Sequence, residues 1–135
     1  MKIKWFVIGF VILILVAGFT VFLLMGRQVK VLAKQDFGII HVANLPDGTY
    51  QGSASAILVT AQAEVTVRAG RILEIKLLKH SHGPGYGADA LCQKIVEANS
   101  PDVDTISGAT TSSVIVKTAV LEALKNGTIH EPETK

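Results

Sequence analysis

A long apolar run near the N-terminus dominates the hydrophobic pattern of the chain. The 21 residues Trp5–Met25 carry no charge, and only Gly9, Gly18 and Thr20 dilute their apolar character. As an α-helix such a run is about 31 Å long, which matches the hydrocarbon core of a bilayer. Because a helix satisfies its own backbone groups inside lipid, we expect one transmembrane helix here.

A cleaved signal peptide is the competing interpretation of this run. The apolar core of a signal peptide normally spans about 7–15 residues and ends in a small-x-small cleavage site. The run in this chain is longer and is followed by Met25-Gly26-Arg27-Gln28, which favours an uncleaved anchor. Basic residues flank the run on both sides, so the positive-inside rule does not orient it.

The polarity changes along the chain predict four segments. We expect an anchor over residues 1–26, a linker or stalk over 27–44, one globular domain over 45–127 and a polar tail over 128–135. Two forms of the linker stay open. Val31 and Leu32, interspersed with lysines, allow an amphipathic helical continuation of the anchor, and a partly ordered stalk is the alternative.

After the turn signal Leu45-Pro46-Asp47-Gly48, the pattern favours β-strands. A first strand follows this turn, and residues 61–68 then alternate strictly between apolar and polar side chains. Residues 72–80 alternate again, which predicts a face formed by Leu73, Ile75 and Leu77. Since Gly70 accepts a positive φ in the intervening turn, residues 61–80 are predicted to form an antiparallel hairpin.

The hydrophobic period then changes to that of helices, over residues 87–99 and 110–125. Pro101 is expected to end the first helix because it restricts Ser100, and Asn126-Gly127 is expected to end the second. The order β-β-β-α-α predicts an α+β fold, an antiparallel sheet with two helices packed on it, preceded by one transmembrane helix. The predicted helical core residues are Leu91, Ile95, Val116, Val120 and Leu124, with Cys92 as a small buried hydrophobe.

Charge and cysteine content exclude several classes of protein. The chain has 13 Lys+Arg and 11 Asp+Glu among 135 residues. Lys2 and Lys4, before the apolar run, account for this small excess, so the domain has no basic patch for nucleic acid. A single cysteine excludes an intramolecular disulfide and a four-cysteine zinc site.

One segment with candidate chemistry opens the last predicted helix. Residues 107–113 contain Gly108, Ala109 and five Ser or Thr hydroxyls. Small residues let a ligand approach the backbone, and the free N–H groups and dipole at a helix start bind phosphate. A serine-rich N-cap without any ligand explains the same composition.

A second such segment is the loop His80-Ser81-His82-Gly83-Pro84-Gly85-Tyr86-Gly87. Its glycines allow the backbone to approach a flat ligand closely, and Tyr86 can stack on an aromatic ring. His80 and His82 have no matching third ligand in the sequence, so we expect no metal site. A plain loop before a helix is the alternative.

The domain resembles the FMN-binding domain family, which includes the FMN-carrying subunits of the sodium-translocating NADH:quinone reductase and of the Rnf electron-transport complex. The matching motifs are Asp47-Gly48-Thr49-Tyr50-Gln51-Gly52, Pro84-Gly85-Tyr86-Gly87 and Asp104-x-x-Ser107-Gly108-Ala109-Thr110. The resemblance covers about residues 45–127. Many relatives have an acidic residue and a threonine before the proline, where this chain has His82-Gly83.

The resemblance implies covalent FMN. In the family, a flavin transferase uses FAD as donor and esterifies the FMN phosphate to the final threonine of the motif, here Thr110. The candidate cofactor-binding residues are Asp104, Ser107, Gly108, Ala109, Thr110, Thr111 and Ser113 at the helix start, and His80, Gly85 and Tyr86 at the glycine loop.

The function expected from this resemblance is membrane-anchored electron transfer. The expected partners are the membrane, a flavin transferase, and other redox proteins or a quinone, with no nucleic acid. The domain is expected outside the cytoplasm, on a single-pass protein of the cell membrane. It is expected to act as an electron carrier or a redox-complex subunit rather than a self-contained enzyme. A sensory or regulatory FMN module without turnover, and a reductase component of a larger enzyme, are the alternatives.

Overall fold

The computed structural model describes residues 2–56, 59–80 and 86–129. A long N-terminal helix precedes three strands and two further helices, which confirms the predicted α+β class and the predicted order of elements. The elements are α1 (Lys2–Ala33), a short 3-10 turn (Val42–Asn44), β1 (Gly48–Ala56), β2 (Val59–Arg68), β3 (Arg71–His80), α2 (Tyr86–Ala98) and α3 (Thr110–Ile129).

The three strands form one antiparallel sheet in the order β1-β2-β3. The predicted hairpin over residues 61–80 is confirmed, since β2 pairs with β3 from Ala61↔His80 to Arg68↔Arg71. On the inner face of β2, Ala61, Ala63 and Val65 are fully buried. Strict alternation in this strand therefore predicted its buried face.

A β-bulge in β3 changes which side chains face the core. Thr66 and Val67 are adjacent in β2, yet they pair with residues 74 and 72 of β3, so Leu73 has no partner. An unpaired extra residue reverses the inside–outside alternation of its strand. Ile72 is consequently buried and Leu73 is 53% exposed, and the prediction that Leu73 lies on the core face is wrong.

Helix α3 packs along β1 and β2 and supplies much of the core. The five predicted helical core residues are all fully buried, and Cys92 is buried as predicted. Burial raises the pKa of the Cys92 thiol to about 11, with a smaller contribution from the nearby Asp89 carboxylate. This thiol therefore stays protonated at neutral pH and behaves as a small apolar group.

The C-terminal part of α3 packs against β1 at two glycines. A Cβ added at Gly52 would lie 2.8 Å from the Cα of Ala123, and one added at Gly127 would lie 2.9 Å from Cε2 of Tyr50. Asn126 donates from Nδ2 to the carbonyl of Gln51 at 2.8 Å. Asn126-Gly127 therefore serves helix–strand packing, and the prediction that it ends the helix is wrong, because α3 continues to Ile129.

The far end of α2 is fixed to the β2–β3 turn by a single side chain. Asn99, with φ +52°, donates to the Gly70 carbonyl at 3.1 Å and accepts from the Ile72 amide at 2.8 Å. The positive φ ends α2, and asparagine tolerates that conformation better than most residues. The start of α2 consequently lies at the opposite end of the sheet from this turn.

Helix α1 is apolar, exposed and longer than the predicted anchor. Its Ile3–Ala33 stretch is long and apolar enough to cross a membrane. The most apolar 18 consecutive residues of this stretch are not buried against the rest of the described chain. The helix runs through Ala33. The first part of the linker is therefore a helical continuation of the anchor, which was one of the two forms left open. Beyond it, Phe37 and Val42 are buried, so this part of the linker packs onto the domain.

Candidate functional site

A tight turn leads into α3 and carries the Ser-Gly-Ala-Thr motif. The Ala109 amide donates to the Ile106 carbonyl at 3.0 Å, and Gly108, the third residue of this turn, has φ +80°. Such a turn requires a residue with positive φ at this position, which favours glycine. A Cβ on Gly108 would meet nothing within 4 Å among the described residues, so the preference for glycine at this position comes from the backbone conformation.

Ser113 holds this turn against the first turns of α3. Its side chain is 2% exposed, and its Oγ accepts a hydrogen bond from the Ile106 amide at 3.1 Å. Its own amide donates to the Ala109 carbonyl at 2.8 Å. Among the candidate residues, Ser113 therefore has a structural task in shaping the loop.

Thr110 is the first residue of α3 and is exposed, as are Ser107 and Gly108 before it. Thr111, which follows, is half-buried. The first turn of α3 is described throughout and carries no acidic side chain. The positive end of the helix dipole is therefore available to an anion at this position.

The start of α2 lies beside this turn. A Cβ added at Gly87 would be 3.1 Å from Cβ of Ala109 and 3.6 Å from Cγ2 of Ile106. The fold thus brings the end of the glycine loop to the Ser-Gly-Ala-Thr motif. Gly85 lies outside the described residues. His80 ends β3 and Tyr86 begins α2, and their side chains lie outside the described part.

An open cleft of about 850 Å³ lies next to the segment that leads into the turn. It is lined by Asp102, Asp104 and Thr105 of that segment, by Lys94 and Glu97 of α2, and by Lys117 of α3, among others. Asp104 itself is exposed. This volume is within the range of cofactor-sized pockets, and the carboxylates of Glu97, Asp102 and Asp104 lie along it.

Lys117 is a site residue that the sequence analysis missed. It is 7% exposed, and its Nζ donates to the Val103 carbonyl at 2.5 Å and lies 4.3 Å from the centroid of the Phe37 ring. Burial lowers the pKa of Lys117, while the carboxylates of Asp102 and Asp104 partly oppose that shift. Its spacing, seven residues after Thr110, was the available signal, because that spacing places it on the same face of α3.

The motif over residues 47–52 supports the fold rather than this site. Asp47 accepts from the Ala69 amide through Oδ1 at 2.6 Å, and Tyr50 donates from its hydroxyl to the Pro46 carbonyl at 2.7 Å. Gly52 packs against the backbone of α3. The first two contacts hold the start of β1, and the contact at Gly52 sets α3 against the sheet.

The sequence of this domain matches known proteins. Residues 59–125 match the family model of the FMN-binding domain, a range that includes the turn and Thr110. An uncharacterized protein of Treponema pallidum (strain Nichols) is 33% identical over 86 residues, which are 62% of this chain and 24% of that protein. Residues 59–125 therefore belong to the FMN-binding domain family, and the chain matches about a quarter of the length of that relative.

The residues at this site fit the phosphate end of FMN. No atom of the described residues lies within 4 Å of a Cβ added at Gly108, and the exposed residue Thr110 stands at a helix start whose first turn has no acidic side chain. Phosphate is stabilised by backbone N–H donors and the dipole at such a position.

Proposed function

We propose that this chain is a membrane-anchored electron-transfer protein whose FMN is attached covalently, through its phosphate, to the Thr110 hydroxyl. The observation that carries the proposal is the position of Thr110. It is exposed and begins α3 directly after the Gly108 turn. A transferase can reach such a hydroxyl, whereas the buried Ser113 is out of its reach.

The attachment is a phosphoryl transfer that needs FAD as co-reactant. The Thr110 hydroxyl oxygen forms a bond to the flavin-side phosphorus of FAD, and the pyrophosphate bond breaks with release of AMP. The hydroxyl proton passes to solvent. The resulting phosphodiester keeps one negative charge, and a helix N-terminus stabilises such a charge by about 0.3–1 kcal/mol.

The anchor in this proposal is α1. Its apolar side chains are exposed along the helix, among them Phe6, Leu13 and Phe22, and burying them in lipid removes this surface from water. We place the protein in the cell membrane as a single-pass chain. The domain is assigned to the extracytoplasmic side, where family resemblance places the flavin transferase.

FMN supplies one- or two-electron transfer when bound. The sequence contains no G-x-G-x-x-G fingerprint for a nicotinamide cofactor and no haem-attachment motif. We therefore propose that other redox proteins or a quinone provide and remove the electrons. On this basis the chain is an electron carrier or a subunit of a redox complex rather than a self-contained enzyme.

The attachment residue is tested with two matched variants of the full chain, co-expressed with a flavin transferase. Thr110→Ala should abolish the flavin fluorescence that remains with the denatured protein. Thr128→Ala, at an exposed threonine near the other end of the same helix, should retain it. Stoichiometric fluorescence in Thr110→Ala would contradict the assignment.

Electron transfer is tested separately on the flavin-loaded protein. An electron carrier should be reduced and then reoxidised rapidly by an added quinone analogue, as stopped-flow absorbance would show. A flavin that stays reduced in the presence of the quinone and of partner flavoproteins would contradict the redox role and favour a sensory module.

A further inference from the structure

Lys117 places an ammonium group within a buried part of α3. Both its neighbours, Val116 and Thr118, are buried, and Lys117 itself is 7% exposed. Burying a cation is costly unless its donors are satisfied and its charge is compensated. The contacts of the Lys117 side chain show how the cost of its burial is offset.

Two residues of α3 hold the segment that leads into the attachment turn. Ser113 accepts from the Ile106 amide at 3.1 Å, and one helical turn later Lys117 donates to the Val103 carbonyl at 2.5 Å. Residues 103–106 are thereby fixed along the same face of α3 that begins with Thr110. Hydrogen bonds from charged donors are the stronger kind.

The ammonium is covered from the other side by Phe37. The centroid of the Phe37 ring lies 4.3 Å from Nζ, within the range of a cation–π contact. Phe37 is 5% exposed and belongs to the segment that follows α1. Lys117 thus joins three pieces of the chain: α3, the post-anchor segment and the segment before the turn.

We propose that Lys117 is a positioning residue for the attachment loop, residues 103–110, which it holds in the single conformation that the flavin transferase modifies. This inference rests on the proposed attachment at Thr110. Among the described residues, loss of the lysine leaves that of Ser113 as the remaining side-chain hydrogen bond from α3 to this loop. The loop then samples other conformations. Attachment then slows because the reactive conformation is less populated.

Replacing Lys117 should change the stability of the domain less than it changes the order of residues 103–110. Replacing a buried charge by an apolar side chain of similar length removes the cost of desolvating that charge. Lys117→Met keeps most of the side-chain volume against Phe37. The variant therefore separates local order in residues 103–110 from the stability of the core.

The test uses full-length Lys117→Met in detergent, with Lys117→Arg as the conservative variant. Lys125→Met is the matched control, since Lys125 is on the same helix and pairs with Glu122 at 2.8 Å. Hydrogen exchange is measured by mass spectrometry, and the initial rate of flavin attachment is measured at saturating FAD. We expect Lys117→Met to slow attachment about tenfold, the size expected for one charged hydrogen bond.

Hydrogen exchange should accelerate in peptides from residues 103–110 of Lys117→Met and stay unchanged in the sheet. Lys117→Arg should restore most of the rate and the protection, and Lys125→Met should match the wild type. Wild-type exchange and a wild-type rate in Lys117→Met would overturn the proposal. Loss of protection throughout the domain in both Lys117→Met and Lys117→Gln would also overturn it, in favour of a global structural role.

The two proposals fail in different ways. If the wild-type chain accepts no flavin, attachment at Thr110 is refuted, whereas hydrogen exchange still reports whether Lys117 orders residues 103–110. If the wild type is flavinylated and Lys117→Met is flavinylated at the same rate, only the role of Lys117 is refuted.

Discussion

Gly52 of β1 and Ala123 of α3 pack backbone against backbone. A Cβ at residue 52 would lie 2.8 Å from the Ala123 Cα, and it would also meet the Ala119 carbonyl. This contact sets how closely α3 approaches the sheet. Because α3 is a continuous helix of 20 residues, it also sets where Thr110 stands at the other end.

Gly52→Ala should therefore destabilise the domain. The added methyl meets backbone atoms that cannot rotate away, and overpacking of this kind costs about 3 kcal/mol. Chemical unfolding of the full chain, followed by circular dichroism, measures the loss. Ser53→Ala, at the exposed neighbouring position, should change the free energy of unfolding by less than about 0.5 kcal/mol. Equal stability of the two variants would refute the packing argument.

Gly108→Ala tests whether the attachment turn needs its backbone conformation. No atom of the described part of the chain blocks the new methyl, but φ is +80°, so alanine should cost about 1–2 kcal/mol of strain. We expect slower flavin attachment in Gly108→Ala. Gly108→Asn should be milder because asparagine tolerates a left-handed conformation. Identical attachment rates for glycine, alanine and asparagine would show that the conformation is unimportant.

The pattern of the sequence predicted the parts of the fold that depend on regular periodicity. The alternation in β2 and the stripe from Val116 to Leu124 identified buried faces correctly. Leu73 was misplaced because a bulge shifts the period by one residue, and bulges have no reliable sequence signal. Gly127 was misread because a glycine that ends a helix and one that admits the Tyr50 ring look alike in sequence.

The candidate site also has a part that the sequence predicted and a part that it did not. The Ser107–Thr110 motif was visible because its residue types are local in sequence and suit a helix start. Lys117 was missed because its partners, Val103 and Phe37, are distant in sequence. A lysine in a helix is ordinarily solvated, and only the tertiary structure shows that this one is buried.

The stability of the chain should depend on pH through Cys92. Its pKa is raised by burial from 9.0 to about 11, so the unfolded chain loses this proton first as pH rises. The stabilisation is therefore complete below pH 9.0 and is lost as the pH rises towards 11. About 1.4 kcal/mol per pKa unit gives a loss of up to about 3 kcal/mol.

This dependence is measured as a difference between the wild type and Cys92→Ala, each unfolded at pH 8 and near pH 11. Burial lowers the pKa of Lys117, so the contribution of Lys117 to stability changes with pH in the opposite direction. Both proteins contain Lys117, so this contribution cancels when their free energies of unfolding are subtracted. The wild type should lose its relative advantage at high pH. A difference that stays constant between the two pH values would contradict the account of the thiol.

Membrane anchoring through α1 predicts resistance to alkaline carbonate extraction. The full chain should stay with the membrane pellet. Leu13→Lys combined with Leu15→Lys should move it to the soluble fraction, since each central lysine costs about 2.5–3.5 kcal/mol on insertion. Leu13→Ala with Leu15→Ala is the control and should remain in the pellet. Release of the unmodified chain by carbonate would refute the anchor.

The central claim is covalent FMN on Thr110, and intact mass spectrometry of the full chain co-expressed with a flavin transferase tests it most directly. The account predicts a mass increase of one FMN less one water, about 438 Da for the phosphoester bond. Peptide mapping should locate that increase at Thr110. An unmodified mass, or an adduct that maps to any other residue, would contradict it.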